Sequence, residues 1–351
     1  MSVAAALLVA VGIVLFLVKS RGNYLRLPEI NSGTGTHSVT VIIPARNEER
    51  NIARAVRSFS HDVIVVDDAS ADRTAEQAAA AGARVIHAPP LTPGQLGKPN
   101  ACLAGARASE SDWLLFVDAD TWFEPAFVPA LLAYATRQNL DMASVFLQQE
   151  CRSAIERILL PYAFALYFCG VQADRVNSAK SPQALANGQC LLFRRTAYNS
   201  IGGHASVATS VIEDVALARV AKQHGLQTRV LRSEKLGHVR MYDSFPSIWR
   251  GFQKNSFRFL LVNPLSGLQV ITASILLTSY LPVLAWLVSD RHAVAAGIFA
   301  LVPSLGLAPW YLRKWDALFA PLAIYLFQLI ALNGMLTTLF RAKTNWKGRR
   351  V

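Results

Sequence analysis

Hydrophobic positions divide the chain into long apolar runs near its two ends and shorter alternating segments between them. The first run, Val3 to Val18, is uninterrupted, and Lys19 and Arg21 follow it at once. A secretory signal has the opposite order of charge, so this run predicts an uncleaved membrane anchor with the following domain in the cytoplasm. Because the run is near the lower length limit for a span, a buried helix is the alternative.

Three further runs are each long enough to cross a bilayer: Gly267 to Val288, Ala293 to Leu312 and Leu318 to Phe340. Three crossings after a cytoplasmic domain would place the basic tail outside, against the positive-inside tendency. The sequence leaves three interpretations open. The middle run is re-entrant, or the first of the three lies partly in the membrane interface, or the chain breaks the rule.

Residues 38–256 alternate strand and helix patterns. Continuous apolar runs, typical of strands buried on both faces of a parallel sheet, occur at Val39 to Ile43, Val63 to Val66 and Trp113 to Val117. Helical patterns separate them, at Glu48 to Phe59, Ala71 to Ala81 and Asn100 to Ala108. This order predicts an α/β fold with an open twisted sheet and a ligand site outside the carboxyl ends of its strands.

The patterns predict five parts of the chain. They are a transmembrane anchor (1–20), a linker (21–37), an α/β domain (38–256), a C-terminal membrane region with about three hydrophobic segments (257–340) and a basic tail (341–351). No nucleic-acid partner is expected, because the apolar residues are concentrated in long runs and not spread through a basic face with interleaved aromatics.

Composition agrees with a membrane protein. Of 351 residues 52% are hydrophobic and 17% are charged, against about 45–50% and 25% in ordinary soluble domains. The formal net charge of +12 suits an anionic lipid surface. Four cysteines lie far apart without a CxxC pair, so neither a zinc site nor a disulfide framework is indicated.

Polar residues follow three of the predicted strands. The first strand ends in Pro44, Ala45, Arg46 and Asn47, the second in Asp67 and Asp68, and a later one in Asp118 and Asp120. Two carboxylates one residue apart repel each other unless a cation lies beside them. Hard oxygen ligands of this kind suit Mg²⁺ or Mn²⁺ completed by diphosphate oxygens. For Ser70 and Asp72, helix capping is the favoured interpretation.

The common phosphate-binding loops are missing from the sequence. Neither GxxxxGK[ST] nor a GxGxxG after the first strand occurs, which argues against kinase, NTPase and dinucleotide-dehydrogenase functions. Lys98 follows Gly97 at a predicted helix start, where the ammonium and the helix N-terminus together suit a phosphate, with a solvated lysine as the alternative.

Glu213 and Asp214 open a later predicted helix. Acidic residues in a first helical turn are favourable in any protein. A metal and diphosphate site that acts on a hydroxyl acceptor also needs a base, and this pair can supply one.

The ordered motifs resemble the membrane-bound family 2 glycosyltransferases of GT-A fold, and among them the group of carotenoid-acid and hopanoid-associated glycosyltransferases. The resemblance covers about residues 38–256, and the tail NWKGRR also resembles the end of that group. The motifs are VTVIIPARNEERNI, VIVVDDASADRTAE, LGKPNACLAG, WLLFVDADTWF, ANGQCLLFRRTAY, GGHASV, VIEDVALAR and IWRGFQKN.

The resemblance implies a GT-A (Rossmann-like) nucleotide-sugar-binding domain and a role for each motif residue. Pro44, Ala45, Arg46 and Asn47 would line the nucleotide pocket, Asp68 would hold the uracil edge of a UDP-sugar with Asp67 in support, and Lys98 would approach the donor. Asp118 and Asp120 would hold Mg²⁺ or Mn²⁺ and the diphosphate, Asp214 would be the general base, and Glu213 would assist in placing acceptor or sugar.

Polysaccharide synthases of the same family carry QxxRW, but this chain contains no Arg-Trp dipeptide. A transferase of a single sugar is therefore preferred. The resemblance further implies inversion at the anomeric carbon and a lipid or isoprenoid acceptor at the cytoplasmic face of the cell membrane. Transfer to polyprenyl phosphate or to a polysaccharide or cell-envelope precursor is the alternative. A membrane-anchored module that binds a nucleotide-sugar without turnover is disfavoured, because the base and the metal acids are all present.

Ile158 to Gly170 is an apolar run too short to span a bilayer. It predicts either a helix buried under the sheet or an interfacial helix beside the active site that guides a hydrophobic acceptor.

Overall fold

An eight-stranded mixed sheet forms the centre of the α/β domain in the computed structural model, which describes residues 2–262, 264–340, 345–346 and 349–350. The strands are β1 (Val39–Ala45), β2 (Asp62–Asp67), β3 (Arg84–His87), β4 (Trp113–Val117), β5 (Thr121–Phe123), β6 (Met142–Gln149), β7 (Cys190–Arg194) and β8 (Thr228–Val239). Two-residue strands β9 (Asn345–Trp346) and β10 (Arg349–Arg350) pair separately.

Helices cover the sheet and form a bundle of long apolar segments. They are α1 (Val3–Leu25), α2 (Ile52–Arg57), α3 (Thr74–Ala80), α4 (Gly97–Arg107), α5 (Phe127–Arg137), α6 (Ala154–Gly170), α7 (Ala173–Val176), α8 (Arg195–Ser200), α9 (Glu213–Gln223), α10 (Phe245–Val262), α11 (Pro264–Thr278), α12 (Tyr280–Ser289), α13 (Ala293–Leu307) and α14 (Ala320–Leu339). Short 3-10 helices span Gly203–Val207, Ala308–Trp310 and Lys314–Phe319.

The sheet order is β3-β2-β1-β4-β7-β6-β8-β5. Strand β1 pairs in parallel with β2 and with β4, and β7 then runs antiparallel to β4. The three apolar runs predicted as strands are therefore adjacent and parallel, as expected. Their carboxyl ends meet at one edge of the sheet, which brings the polar residues that follow them together.

Helix α4 packs closely on this parallel part of the sheet. A Cβ on Gly105 would lie 2.4 Å from Cγ2 of Ile42 on β1 and 3.0 Å from Cγ2 of Val66 on β2. The contact requires glycine, since any side chain would push the helix away. The first residues of α4, Gly97 and Lys98, are thereby held at the same edge of the sheet as the strand ends.

Four helical segments in the described part of the chain are long and apolar enough to cross a membrane: Val3–Leu25, Pro264–Ser289, Ala293–Trp310 and Lys314–Thr337. Helix α1 continues into residues predicted as a linker, and α10 crosses the boundary predicted at residue 256. The tail residues Arg341, Lys343 and Lys347 lie outside the described residues.

Helix α6 lies between the α/β domain and the long apolar helices. It begins with a capping box, in which the Ser153 side chain accepts from the Glu156 backbone and the Glu156 side chain accepts from the Ser153 backbone. The helix then packs against α1, α11 and α14, with Tyr162 and Phe168 fully buried. The apolar run is buried, as one alternative predicted, and it lies between the long apolar helices and the sheet, where Phe168 packs against Phe146 of β6 and Val230 of β8.

Candidate active site

A cavity of about 980 Å³ opens at the carboxyl edge of β1, β2 and β4 and continues between α6, α11 and α14. Its polar end is lined by most of the residues that the sequence singled out. They are Pro44, Ala45, Arg46, Asp68, Lys98, Asp118, Asp120, Glu213 and Asp214. Residues from five separate segments of the chain therefore converge on one site.

Lys98 is the centre of a charge cluster in this polar end. Its Nζ lies 2.7 Å from Oδ1 of Asp118 and 3.1 Å from Oε1 of Glu213. Burial alone would lower the pKa of the Lys98 ammonium, but the two carboxylates outweigh it and raise that pKa above its ordinary value. The lysine is therefore a positive charge between the strand edge and α9, paired with both carboxylates while 36% of its side chain stays exposed.

Asp214 faces the same space from the first turn of α9. Its Oδ2 accepts a hydrogen bond of 2.7 Å from the Gly188 backbone N–H. A Cβ on Gly188 would lie 3.0 Å from Lys98 Nζ and 3.2 Å from Asp214 Oδ2, so a side chain at this position would push both groups back slightly. Burial and the adjacent Glu213 carboxylate raise the pKa of Asp214 to about 7, against the opposing influence of Lys98. A carboxylate that titrates near neutral pH is suited to accept a proton.

Asp118 and Asp120 provide hard oxygen ligands on the cavity wall. Among the described residues no group of three or more His, Cys, Asp or Glu side chains forms a complete metal cage. Mg²⁺ is commonly held by one or two carboxylates together with substrate phosphates. The Lys98 ammonium at Asp118 shows that this position attracts a cation. The residues present therefore fit a divalent ion that is shared with a diphosphate.

Arg46 and Asp68 line the cavity at the carboxyl ends of β1 and β2. The Arg46 guanidinium donates to the backbone oxygens of Asp68 and Ala69, which holds the ends of β1 and β2 together. Asn47 and Asp67 do not line the cavity. Asn47 adopts a left-handed φ of 54° and accepts from the Ala71 backbone N–H, so it bridges the two loops.

Asp67 is buried beside the edge strand β3. Its Oδ2 accepts from the Ser70 backbone N–H at 3.4 Å and lies 3.4 Å from Nδ1 of His87. The two consecutive aspartates thus have separate environments, Asp68 at the cavity and Asp67 behind it.

An ion pair that the sequence did not indicate supports Asp120 from behind. The Arg240 guanidinium donates to both oxygens of the fully buried Glu156, at 3.1 and 3.0 Å. Burial would raise the pKa of Glu156, but hydrogen bonds from Arg240, Ser153 and Arg152 outweigh it and lower that pKa to about 2. Arg240 also donates its backbone N–H to the Asp120 carbonyl at 3.2 Å. The pair fixes the start of α6 against the loop that carries Asp120.

The GGHA motif is a packing element beneath the site. His204 is 1% exposed, and its Nδ1 forms a 2.8 Å hydrogen bond with the Tyr198 hydroxyl. Gly203 has a φ of 52°, and a Cβ there would lie 2.3 Å from the Tyr198 ring. Burial lowers the pKa of His204 to about 3, so the imidazole is neutral. The 3-10 helix that contains it packs against α4 and α9 and so supports the helices that carry Lys98 and Asp214.

Beyond the charged residues the cavity wall becomes apolar. We call this part the apolar arm, and it is lined by Ala163, Phe164, Leu166 and Tyr167 of α6, Val270, Ile271, Ser274 and Ile275 of α11, and Phe327, Gln328, Ala331, Leu332 and Met335 of α14. Phe252 of α10 also lines it, within the Trp249–Asn255 block whose role the sequence did not reveal. The side chains of Lys254 and Asn255 lie outside the described residues.

Residues 40–201 match the family model described as glycosyl transferase family 2. These residues belong to glycosyl transferase family 2. The sequence prediction of a family 2 glycosyltransferase domain is thereby confirmed, and the match ends shortly before the segment that contains Glu213 and Asp214.

Two curated relatives cover more of the chain. It is 30% identical over 252 residues to a 4,4'-diaponeurosporenoate glycosyltransferase of Staphylococcus haemolyticus strain JCSC1435, with 68% of this chain and 66% of the relative covered. It is 29% identical over 254 residues to the protein of the same name from Staphylococcus aureus strain USA300, with 68% and 65% covered. The matched region thus spans slightly less than two thirds of the length of these relatives.

One solved structure has a similar fold over nearly the whole chain. A mannosyltransferase from Pyrobaculum calidifontis, in complex with GDP-Man and Mn²⁺, superimposes with a TM-score of 0.58 at 16% identity and covers 97% of this chain and 99% of its own. The predicted GT-A domain with apolar helices at both ends of the chain is confirmed as the fold.

Proposed function

We propose that this protein is an inverting glycosyltransferase that transfers one sugar from a nucleotide-sugar to a lipid or isoprenoid acceptor. The observation that carries the proposal is the continuity of the cavity, in which the charged site at the sheet edge opens into the apolar arm. A diphosphate suits the first part and a long hydrocarbon chain suits the second. The relatives' name, which refers to diaponeurosporenoate, supports an acceptor of carotenoid type.

The donor binds, in this proposal, across the strand edge. Pro44, Ala45, Arg46 and Asp68 receive the nucleoside, with UDP as the proposed nucleotide, and Lys98 lies beside the diphosphate. Asn47 and Asp67 shape the loops from outside the cavity. Asp118 and Asp120 hold Mg²⁺ or Mn²⁺, which when bound neutralises negative charge on the leaving diphosphate.

The reaction is an in-line displacement at the anomeric carbon. The acceptor oxygen forms a bond to that carbon while the bond to the diphosphate oxygen breaks, and the nucleoside diphosphate leaves with the electron pair. Asp214 accepts the proton of an acceptor hydroxyl, and Glu213, held by Lys98, orients acceptor or sugar. No covalent bond to the protein forms, so the site needs no nucleophilic side chain.

We place the catalytic domain at the cytoplasmic face of the cell membrane. Lys19, Arg21 and Arg26 follow the apolar part of α1, and basic residues flank membrane helices preferentially on the cytoplasmic side.

A donor panel tests the nucleotide. Purified protein with Mg²⁺, extracted membrane lipid and either UDP-sugars or GDP-sugars should release UDP faster than GDP. The reverse preference would replace the UDP assignment and leave the reaction type intact.

The raised pKa of Asp214 predicts a pH profile. Its ionised form is the proton acceptor, and a carboxylate with a pKa of about 7 loses that form as the pH falls below 7. We expect kcat/KM to rise tenfold per pH unit below pH 7 and to level off above it. The Asp214→Asn variant should lack this dependence, and an unchanged dependence in the variant would assign the titration to another group.

Blocking the apolar arm should weaken acceptor binding selectively. Leu332 of α14 lines the arm and Leu329 of the same helix does not, although their exposed fractions are similar, 48% and 55%. We expect Leu332→Trp to raise the KM for a long apolar acceptor about tenfold or more, a loss of about 1.4 kcal/mol, without slowing acceptor-independent hydrolysis of the donor. The matched Leu329→Trp variant should behave as wild type. Equal effects of both variants would argue against the arm as acceptor site.

A further inference from the structure

Helix α14 returns to the catalytic domain at its far end. Just before the helix, Asp316 accepts a 3.1 Å hydrogen bond from Nε of Arg157, whose Nη1 also donates to the Arg152 carbonyl of the domain. Near its end, a Cβ on Gly334 would lie 2.8 Å from the Gln253 carbonyl of α10. Two residues earlier in α10, Gly251 packs against the ring of Tyr242, which lines the cavity.

The length of α14 makes this arrangement informative. Residues 320 to 334 extend over about 21 Å at 1.5 Å per residue. A crossing helix that began at the domain would carry Gly334 through most of the hydrocarbon layer, which is about 30 Å thick. Both ends of this helix instead touch parts of the domain, so it runs along the domain.

Helix α6 has the same orientation. Near its start, the Ile158 carbonyl accepts a 3.0 Å hydrogen bond from the Tyr311 hydroxyl, just after α13. At its end, a Cβ on Gly170 would lie 2.7 Å from the Ser266 carbonyl near the start of α11. The helix therefore connects the domain-side ends of two membrane helices and lies across the base of the bundle.

The remaining apolar helices extend away from the domain. Ala6 of α1, Tyr280 and Leu287 of α12 and Ala296 and Phe299 of α13 form a buried cluster, against which Tyr325 of α14 packs from one side. Toward the domain, by contrast, a Cβ on Gly306 of α13 would lie 2.6 Å from Leu17 of α1. Helix α1, the pair α11–α12 and helix α13 thus run side by side from the domain to the turn at residues 290–292.

Exposed residues between α13 and α14 fit a membrane surface. Leu312, Trp315, Leu318 and Phe319 are 69%, 82%, 58% and 52% exposed, and Arg313 and Lys314 lie among them. Amphipathic aromatic rings with nearby cations are enriched at headgroup depth.

We infer that α6, α10 and α14 do not cross the bilayer and that both ends of α14 lie on the side of the catalytic domain, with the Tyr325 hydroxyl of α14 reaching the Thr278 carbonyl at the α11–α12 joint. Of the described helices, only α1, the pair α11–α12 and α13 cross the bilayer. The end of α14 therefore lies on the side of the catalytic domain. Residues 313 and 314 then share that side with Lys19, Arg21 and Arg26, while Arg291 is at the opposite face. The positive-inside tendency is satisfied, and the conflict raised by three C-terminal crossings disappears.

The inference goes beyond the proposed reaction, and its test measures no turnover. The test uses the full-length Cys151→Ser protein, whose other three cysteines are buried. One variant carries Asp290→Cys, a second carries Lys314→Cys, and a third carries a protease-cleavable tag after Val351. Membrane vesicles of both orientations are treated with an impermeant maleimide or with protease, and detergent-opened vesicles establish that each site reacts.

We expect Lys314→Cys and the tag to react only in vesicles that expose the catalytic domain, and Asp290→Cys only in vesicles of opposite orientation. Reaction of the tag from the same side as Asp290→Cys would show that α14 crosses and would overturn the inference. A reporter epitope in the exposed loop at Glu110 fixes the side of the domain independently of catalysis.

Discussion

Replacing Asp214 with Asn is expected to reduce kcat by about 10²–10⁴-fold, the range for loss of a general base. Asn has the shape of Asp, and its amide oxygen can still accept from the Gly188 backbone N–H at the position that is 2.7 Å away in the wild type. The loop that carries Gly188 should therefore keep its place, and only the proton acceptor is lost. Single-turnover transfer and calorimetric binding of UDP, measured on the same preparation, separate the two effects.

Glu213→Gln is the control for this variant. It removes the neighbouring carboxylate that contacts Lys98, so we expect a change in substrate KM and a lower pKa of Asp214, with the pH-dependent limb retained. Loss of UDP affinity in Asp214→Asn would make Asp214 a donor ligand. Full activity in that variant would favour an acceptor that is already anionic, such as polyprenyl phosphate or a carboxylate.

Removal of the divalent cation is expected to abolish transfer, and Asp120→Ala should have the same effect. The leaving diphosphate then lacks the charge that stabilises it, a loss of several kcal/mol, or a rate reduction of about 10³-fold at 4 kcal/mol. Binding of Mn²⁺ in the presence of UDP, followed by calorimetry, should be weakened in Asp120→Ala independently of any turnover.

Asp72→Ala provides a matched carboxylate deletion. Asp72 accepts from the Thr74 backbone N–H at 3.0 Å at the start of α3 and lies outside the cavity. Its loss should lower thermal stability and leave Mn²⁺ binding unchanged. Undiminished turnover of the wild type in EDTA would contradict the metal assignment.

The parallel half of the sheet was predictable because its strands are buried on both faces and therefore uniformly apolar. Val39–Ala45 and Trp113–Val117 extend the predicted runs by at most two residues. The edge of the sheet follows from that topology, and so does the convergence of Arg46, Asp68 and Asp118.

Contacts between distant segments were not predictable from local patterns. The Lys98 ammonium meets Glu213, and Arg240 meets Glu156, across large separations in sequence. Adjacent residues also diverge, since Asp68 reaches the cavity while Asp67 is buried toward His87. The sequence of two consecutive aspartates does not indicate which of them faces the ligand.

The orientation of α14 also could not be predicted from the sequence. Composition and length qualify Lys314–Thr337 as a membrane span, because both a crossing helix and a helix packed between a domain and a bilayer are apolar. Only its contacts at Asp316 and Gly334 distinguish the two. The apolar arm depends on this packing, so the sequence could indicate a hydrophobic acceptor but not where it binds.

The transfer of sugar into a lipid product tests the central claim most directly. Purified protein in lipid nanodiscs receives a radiolabelled nucleotide-sugar, Mg²⁺ and a long isoprenoid acceptor, and the label is followed into the organic phase. We predict one sugar per acceptor molecule, with the label absent from the organic phase in Asp214→Asn and reduced in Leu332→Trp. The account would be contradicted if nucleoside diphosphate were released while the label stayed in the aqueous phase, as free sugar or as polymer, with every donor and acceptor tested.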